Sequence, residues 1–590
     1  MHLRLSRLVN IGLVLVLSAT GVSANPATVV DRAKDVIYKG FERNGVEVFL
    51  GIPYGQDTSG VNRFRPPRPF INRPGTVVNA TIAGPACPQS LGLWFPPLTL
   101  NNITEISEDC LNLNIVRPVS NDRARTSHKL LPVMVWIHGG SFWAGSNMEP
   151  THNPDGLVLE AIKDNADHAV IHVAMNYRLG FFGFAQSGSL QEEGSLNAGL
   201  RDQRLAIEWV RDNILSFGGN PSNITIFGQS SGGLAVGMHL LAYGGTKPLP
   251  FQQGICQSQA LEPGLTGNFT INAMHALVDY IGCNTTSFNS PETIACLRQF
   301  DTKSVLKASL DTYVGDIAHN IGDIWMPTVD GDFVPETPSK LVKEGRFGKT
   351  TSGQPAKYMI GWTDGDVNFF TDVSIETSND THNFLQAYLP NAPSHAIDQL
   401  TSLYPVSEFA PPQGTNLTAE FYRTARVFRD IIMTCQPIFL AENIKKYGGD
   451  VYLYDFNQTL IEPSIEAEYN VSHIGVIHTS EFPYIYANLT FYSEAKPTQA
   501  DEDLKCRASN SWSSFAASGH PSGSENAYTL KGWKDAFYDI DNINIFVIGG
   551  SKNGLAAIDG PNSTPEMSGQ RLRERCALIN SEKWIEYLQY

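Results

Sequence analysis

The 590-residue chain is short of basic residues. It has 43 lysines and arginines against 59 aspartates and glutamates, so its formal net charge at pH 7 is −16. Nucleic acids bind to basic surfaces, because lysine and arginine neutralise the phosphate backbone. We therefore expect no nucleic acid partner, and the acidity instead favours solubility outside a cell.

Metal-binding patterns, long apolar segments and internal repeats are also missing from the sequence. No spacing of the eight cysteines and 14 histidines resembles a zinc site, so we expect no metal. Beyond the N-terminus, no run has the length and apolarity of a membrane-spanning helix. Because no low-complexity linker divides the chain, we predict a single domain over residues 25–590.

The N-terminus has the pattern of a secretory signal peptide. Arg4 and Arg7 precede an apolar core from Ile11 to Leu17, and the small residues Val22-Ser23-Ala24 offer a cleavage site. The apolar core is too short for a membrane anchor. We predict that residues 1–24 are removed and that the mature chain is secreted to the extracellular space.

One short motif has the composition of a nucleophile elbow. Gly228-x-Ser230-x-Gly232 follows the apolar run Ile224 to Phe227 and precedes a helix-like segment, Gly233 to Leu241. In such an elbow a strand turns sharply into a helix, and small residues leave the serine hydroxyl exposed above the sheet. The pattern also arises by chance in long chains, so its meaning depends on finding a base and an acid elsewhere.

Two later stretches supply an acid and a base for Ser230. In this type of site the chain order is serine, acid, histidine. Asp366 is the predicted acid because it lies in an acidic turn after an apolar strand, and Asp364 is the alternative. His478 is the predicted base; His473 is disfavoured because it follows a glycosylation-like stretch and is expected to be solvated.

A glycine-rich turn predicts the donors that stabilise a developing negative oxygen. The apolar run Val133 to Ile137 is typical of a buried strand and ends in His138-Gly139-Gly140-Ser141-Phe142. Adjacent glycines let the backbone approach a substrate and aim N–H groups at it. We predict an oxyanion hole formed by the N–H groups of Gly140, Ser141 and Ser231, whereas His138 precedes the glycines and is expected to be structural.

Alternating strand and helix patterns predict the fold class. Buried strands are expected at Val170–Met175, Ile224–Phe227, Lys357–Ile360 and Val451–Tyr454. Between them, a helical stripe is formed by Leu205, Ala206, Trp209, Val210 and Ile214. This alternation is typical of an α/β protein with a mainly parallel sheet that helices cover on both faces.

Together these motifs resemble the type-B carboxylesterase family, the α/β-hydrolase branch that includes cholinesterases and large secreted fungal lipases. Further landmarks of that family are Glu108 to Ile115, Asn176 to Phe184 and Asn197 to Arg204. The resemblance implies an α/β-hydrolase fold, with a large central sheet flanked by helices and insertions that form an active-site gorge. It also implies internal ion pairs between Arg63 and Glu108 and between Arg178 and Asp202, with no chemical role.

The resemblance also bears on individual site residues. The family's oxyanion donors fall on Gly140 and Ser141, and its acid falls on Asp366, where many relatives carry Glu. Two positions depart from the family pattern. Gln229 replaces the usual Glu before the nucleophile, and Ser231 replaces the usual Ala after it.

Eight cysteines remain in the expected mature chain, and an oxidising compartment favours their pairing. The sequence alone does not fix the connectivity. The resemblance implies disulfides between Cys87 and Cys110 and between Cys283 and Cys296. A third pair, Cys435 with Cys576, is plausible, which leaves Cys256 and Cys506.

Asn-x-Ser/Thr triplets are frequent, as expected for a secreted glycoprotein. Asn223 precedes the predicted nucleophile strand and is expected to be too buried for modification. The remaining predicted acceptors are Asn79, Asn102, Asn268, Asn284, Asn379, Asn416, Asn457, Asn470, Asn488 and Asn562.

The sequence therefore predicts a secreted serine ester hydrolase that acts on a small-molecule ester and needs no cofactor. One alternative is a lipase, in which the apolar stretch Leu91 to Leu98 forms a lid that opens at a lipid interface; the same stretch could equally be a loop packed on the body. Another is a cholinesterase-like binding protein without catalysis. Such proteins lose the nucleophile, whereas this chain keeps all three residues of the predicted triad.

Departures from the cholinesterase pattern predict a preference for neutral esters. Cholinesterases hold the cation over a Trp ten residues before the second cysteine of the first disulfide loop, where this chain has Leu100. Trp94 lies six residues earlier, and the residue before the nucleophile is the neutral Gln229. The chain thus lacks the aromatic ring and the carboxylate that would attract a quaternary ammonium.

Overall fold

The fold is taken from a computed structural model, which describes residues 25–91, 103, 105–119, 129–164, 168–316, 324–491, 496–523, 528–539 and 542–590. The predicted signal peptide, residues 1–24, lies outside these ranges, and so does the predicted acceptor Asn102. Of the proposed lid only Leu91 is described; Trp94 and Leu100 are not.

Thirteen described strands form one sheet in the order β1-β2-β3-β5-β7-β6-β8-β9-β10-β11-β12-β13, with β4 paired to β2. The strands are β1 (Pro26–Asp31), β2 (Val36–Arg43), β3 (Val46–Pro53), β4 (Thr76–Asn79), β5 (Asn112–Pro118), β6 (Leu131–Ile137), β7 (Ile171–Met175), β8 (Gly219–Gln229), β9 (Gln253–Gln257), β10 (Lys357–Thr363), β11 (Val451–Phe456), β12 (Asn544–Ile548) and β13 (Gly554–Ala557). From β7 to β12 neighbouring strands are parallel, and the other neighbours in this order are antiparallel. The strand β4 runs parallel to β2.

Helices connect and cover these strands. They are α1 (Asp155–Asp164), α2 (Gly180–Phe184), α3 (Gly188–Glu192), α4 (Ala198–Asn213), α5 (Ser231–Leu241), α6 (Phe269–Ile281), α7 (Pro291–Gln299), α8 (Thr302–Asp316), α9 (Pro338–Lys343), α10 (Ser378–Tyr388), α11 (Ser394–Ser402), α12 (Ala419–Arg429), α13 (Cys435–Lys446), α14 (Glu462–Tyr469), α15 (Phe482–Ile485), α16 (Gln499–Ser518), α17 (Pro565–Gly569), α18 (Leu572–Ile579) and α19 (Glu582–Leu588). A π-helical turn, Asp430–Thr434, joins α12 to α13. Among the described residues, no helix combines the length and apolarity that crossing a bilayer requires.

The central strands are apolar throughout because helices cover both faces of the sheet. Every residue of β6 is buried. Val133, Val135 and Ile137 belong to the core on one face, whereas Met134 and Trp136 pack into the core on the other. This alternation follows from the two-residue period of a strand. The predicted α/β fold is confirmed, and each predicted buried strand overlaps one that the structure contains.

Three disulfides and two buried ion pairs tie distant segments together. The structure joins Cys87 to Cys110, Cys283 to Cys296 and Cys435 to Cys576, and it leaves Cys256 and Cys506 as free thiols. The expected ion pairs are present and buried: Arg63 Nη2 lies 2.6 Å from Glu108 Oε1, and Arg178 Nη2 lies 2.7 Å from Asp202 Oδ1.

Candidate active site

Ser230 occupies a strained turn between β8 and α5. Its backbone has φ 60° and ψ −133°. Residues other than glycine adopt this conformation at a cost of about 1–3 kcal/mol and mainly at functional sites. The flanking glycines are required by space: a Cβ on Gly232 would lie 2.1 Å from the carbonyl oxygen of Ile137. The Ser230 N–H donates to the Gln257 carbonyl at 2.9 Å. The predicted elbow geometry is therefore present.

His478 and Asp366 meet beside this elbow. The imidazole Nδ1 donates a hydrogen bond to Asp366 Oδ1, and the other carboxylate oxygen accepts the Thr363 N–H at 2.9 Å. The backbone N–H of His478 also donates to the Asp366 carbonyl, at 3.2 Å. Asp366 is fully buried, and its hydrogen bond fixes the orientation of the imidazole ring. With the proton on Nδ1, Nε2 is the ring nitrogen that can accept a proton.

The alternative acid and base candidates point elsewhere. Asp364 Oδ1 lies 3.2 Å from Arg429 Nη1 and 3.4 Å from Arg426 Nη2, so its side chain is engaged by guanidinium groups. His473 is exposed, and its carbonyl accepts a hydrogen bond from the Tyr422 hydroxyl at 2.7 Å. The structure thus brings Asp366, and not Asp364, to the imidazole of His478.

The turn after β6 presents unpaired backbone donors. Gly140, Ser141 and Phe142 have positive φ angles of 103°, 56° and 53° in succession. Consecutive residues of this kind aim neighbouring N–H groups at a common point and favour an anion there. Among the described residues, no acceptor is bonded to the N–H groups of Gly140, Ser141 or Ser231, the three predicted oxyanion donors. Ser231 additionally accepts the Phe142 N–H on its Oγ, at 3.1 Å.

His138 lies behind this turn and has a structural environment. Its ring stacks on Tyr177 with centroids 4.4 Å apart, and Nδ1 donates to the Gly139 carbonyl at 2.9 Å. Burial lowers the pKa of His138 to about 4. A neutral, stacked imidazole of this kind supports the turn and is not placed to act as a base, as the sequence predicted.

Ser230 and His478 open into one cavity with an empty volume of about 790 Å³. Its walls combine aromatic rings with amides and a carboxyl group. The aromatic residues are Phe269, Phe370, Tyr388, Phe428 and Tyr587, and the polar ones are Ser141, Gln259, Glu262, Asn391 and Gln589. Ile432 and Met433 of the π-helical turn also line it. The described residues contain no group of three metal-ligating side chains.

Two acidic side chains at this site were missed from the sequence. Glu262 is buried in the cavity wall. Glu481 is buried three residues after His478, where its Oε1 accepts the Gln257 amide at 3.2 Å. Burial, reinforced by the carboxylate of Asp366, raises the pKa of Glu481 to about 7. A carboxyl so close in sequence to the predicted base was the available signal.

Replacing Glu481 with glutamine is expected to stabilise the protein more as the pH rises. The pKa of this carboxyl rises from 4.5 to about 7 on folding. The parent protein therefore loses free energy of unfolding as the pH rises through the folded-state pKa and the buried carboxyl ionises. A glutamine amide does not ionise, so the variant avoids this loss. Linkage puts the loss at about 2–3 kcal/mol between pH 5 and pH 8. Thermal unfolding of variant and parent at both pH values measures it. An equal difference in Tm at the two pH values would contradict the expectation.

Comparisons with known proteins agree with this geometry. Residues 35–553 match the carboxylesterase family. A secreted lipase of Arthroderma benhamiae is 48% identical over 583 residues, 98% of each chain. An inactive carboxylesterase-like protein of Byssochlamys spectabilis is 33% identical over 530 residues, 86% of each chain. The structure of Aspergillus niger EstA, at 24% identity, shares the fold with a TM-score of 0.74 over 96% of this chain and 99% of the other.

The family match extends from before β2 to the start of β13, so it contains the elbow, the glycine-rich turn and the pair of Asp366 and His478. The lipase relative covers nearly the whole chain at an identity that leaves the family in no doubt. The chain therefore belongs to the carboxylesterase family of α/β-hydrolases and is a carboxylic ester hydrolase.

Proposed function

We propose that the protein is a secreted serine hydrolase that cleaves neutral carboxylic esters through an acyl-enzyme intermediate, with Ser230, His478 and Asp366 as the catalytic triad. The observation that carries this proposal is the contact between Asp366 and His478 beside the strained elbow at Ser230. A buried carboxylate on Nδ1 prepares Nε2 to act as a general base, and the strained Ser230 opens into the same cavity as His478.

In the proposed reaction, Nε2 of His478 takes the hydroxyl proton of Ser230 while Oγ attacks the ester carbonyl carbon. The N–H groups of Gly140, Ser141 and Ser231 stabilise the negative oxygen. The C–O bond to the alcohol breaks, and His478 returns its proton to that oxygen. Water then attacks the acyl-enzyme with the same base, which releases the carboxylic acid and restores Ser230. No cofactor enters the balance.

A series of p-nitrophenyl esters of increasing acyl length tests the proposal on the purified mature chain. We expect turnover of soluble esters below their solubility limit. Absence of hydrolysis across the whole series would overturn the proposal. The same series with an emulsion separates an esterase from a lipase, because only a lipase gains activity abruptly when an interface forms.

An interfacially active lipase is the second candidate. A relative that is 48% identical over 98% of the chain is named a secreted lipase, which favours this reading. The apolar stretch Leu91 to Leu98 would supply the lid, and Leu91, its described residue, is 45% exposed. A purely binding role is less favoured, because Ser230, Asp366 and His478 are all retained, although one relative is named inactive.

Neutral esters are expected to be hydrolysed at least as efficiently as choline esters of the same acyl group. Leu100 replaces the ring that would hold the cation, a contact worth about 1–2 kcal/mol, and Gln229 is neutral. Comparing kcat/KM for butyrylthiocholine and its neutral carbon isostere measures the preference. A preference of about tenfold or more for the cationic ester, near 1.4 kcal/mol, would contradict the expectation and point to Glu262 in the cavity wall.

Secretion is proposed from the N-terminal pattern of residues 1–24, which would leave residues 25–590 as the mature single-domain chain. Three disulfides are consistent with an oxidising compartment. Glycosylation remains a prediction: seven predicted acceptors are exposed, namely Asn79, Asn268, Asn284, Asn379, Asn416, Asn470 and Asn562, while Asn457 and Asn488 are half-buried. Asn223 donates its amide to the Ala517 carbonyl at 3.0 Å, which disfavours its modification.

A further inference from the structure

Gln229 contacts the nitrogen that is expected to act as the base. It is the last residue of β8, directly before Ser230, and its side chain is buried. The amide Nε2 lies 3.0 Å from Nε2 of His478. Because the other ring nitrogen donates to Asp366, Nε2 of the neutral imidazole carries a lone pair. The amide N–H of Gln229 therefore donates to that lone pair.

This hydrogen bond can form only with the neutral imidazole. A protonated ring has N–H groups at both nitrogens and offers no acceptor to an amide N–H. A hydrogen bond to the neutral form of a group disfavours its charged form. A carboxylate at position 229 would do the opposite, since it cannot donate and it attracts the imidazolium.

We infer that Gln229 is a positioning residue, which holds His478 neutral with its proton on Nδ1 and keeps the site active at lower pH than a carboxylate there would allow. The inference rests on the proposed function. When Ser230 attacks, its hydroxyl proton moves to Nε2 and the amide hydrogen bond to that nitrogen breaks. The Gln229 amide gains and loses no proton, so the balance of the reaction is unchanged.

A substitution at position 229 leaves the other side chains that face His478 unchanged. Asp366 contacts Nδ1, the Phe370 ring packs edge-on with centroids 5.5 Å apart, and Glu481 is buried three residues further on. Glu262 lies in the wall of the same cavity. The pKa of Glu481 is raised to about 7 by burial, so this carboxyl also contributes to the pH profile of the parent. The difference between profiles isolates Gln229.

The test is the pH dependence of kcat/KM for p-nitrophenyl butyrate with the Gln229→Glu variant of the mature chain. We expect the acidic limb of the profile to move up by about one pH unit, since a nearby opposite charge favours the protonated imidazole. Gln399→Glu is the matched control. It adds the same charge at an exposed position of α11 and is expected to leave the limb in place.

A second variant separates the hydrogen bond from the charge. Gln229→Asn shortens the amide by one methylene and withdraws it from Nε2 without adding a charge. We expect the acidic limb to move up by less than in Gln229→Glu, at unchanged KM, because a hydrogen bond that favours the neutral ring is lost and no charge is added.

Distinct outcomes overturn distinct claims. A Gln229→Glu protein that unfolds at the parent Tm and has an unmoved acidic limb would overturn the role of Gln229. If that variant fails to fold, an unmoved acidic limb in Gln229→Asn would overturn it instead. An unmodified protein that hydrolyses no ester would refute the proposed function, and the inference with it.

Discussion

Replacing Ser230 with alanine is expected to abolish ester turnover down to a small residual, a loss of about 10⁶-fold in kcat, as removal of a triad nucleophile causes elsewhere. Alanine keeps the Cβ, so the strain at φ 60° is the same in the variant and the parent. The described residues give the Ser230 hydroxyl no hydrogen-bond partner whose loss would cost stability. Secretion and Tm should therefore stay close to those of the parent.

Ser258 supplies a matched control for this experiment. It follows β9 as Ser230 follows β8, and it also has a positive φ, 55°. Its buried hydroxyl has no hydrogen-bond partner among the residues that the structure describes. Ser258→Ala is expected to keep the turnover of the parent, measured with a p-nitrophenyl ester. Parent-like turnover in purified Ser230→Ala would remove Ser230 from the mechanism.

Asp366→Asn is expected to lower kcat by about 10⁴-fold, as loss of the orienting carboxylate does in other triads. An asparagine amide that turns its N–H toward Nδ1 would force the imidazole into the tautomer with the proton on Nε2, which cannot accept one from Ser230. The N–H of Thr363 favours this orientation, because it keeps the amide oxygen as its acceptor. The measurement is kcat at the pH of maximal activity.

Asp364→Asn is the matched comparison, because it makes the same replacement of a carboxylate by an amide at the alternative acid. Its side chain pairs with Arg429 and Arg426 and does not contact the imidazole, so the effect on kcat should be mild. Some loss of Tm is expected, since Arg429 is buried and would lose a charged partner. A larger fall in kcat for Asp364→Asn than for Asp366→Asn would mean that the acid lies two residues earlier.

The sequence predicts those parts of the fold and site that depend on residues close together in the chain. The central strands are apolar on both faces, and the small residues around Ser230 are dictated by the turn itself, so both were predicted within a few residues. The choice of Asp366 as acid was also made from position after a strand. Position alone did not separate it from Asp364, two residues earlier in the same turn, and the family resemblance favoured Asp366.

The remaining features depend on contacts between distant segments. Gln229 contacts His478 across about 250 residues, and no pattern in either stretch gives the orientation of an amide or a ring. The antiparallel strands β1 to β3 and the π-helical turn were not predicted, because their hydrogen bonds are fixed by tertiary packing. The position of Glu262 in the cavity wall was not predicted either, because it also depends on tertiary packing.

The disulfide between Cys435 and Cys576 bears on how the protein can be produced. It closes a loop of 141 residues by linking α13 to α18, and the Asn580 amide adds a hydrogen bond to the Cys435 carbonyl at 2.8 Å. In the chain-entropy model such a link is worth about 5 kcal/mol. The helix that follows ends in Tyr587 and Leu588, which wall the cavity. In a reducing expression host this disulfide would not form, so the C-terminal helix that carries Tyr587 and Leu588 would be held less firmly against the cavity. Ser230, His478 and Asp366 lie on other segments and do not depend on this link.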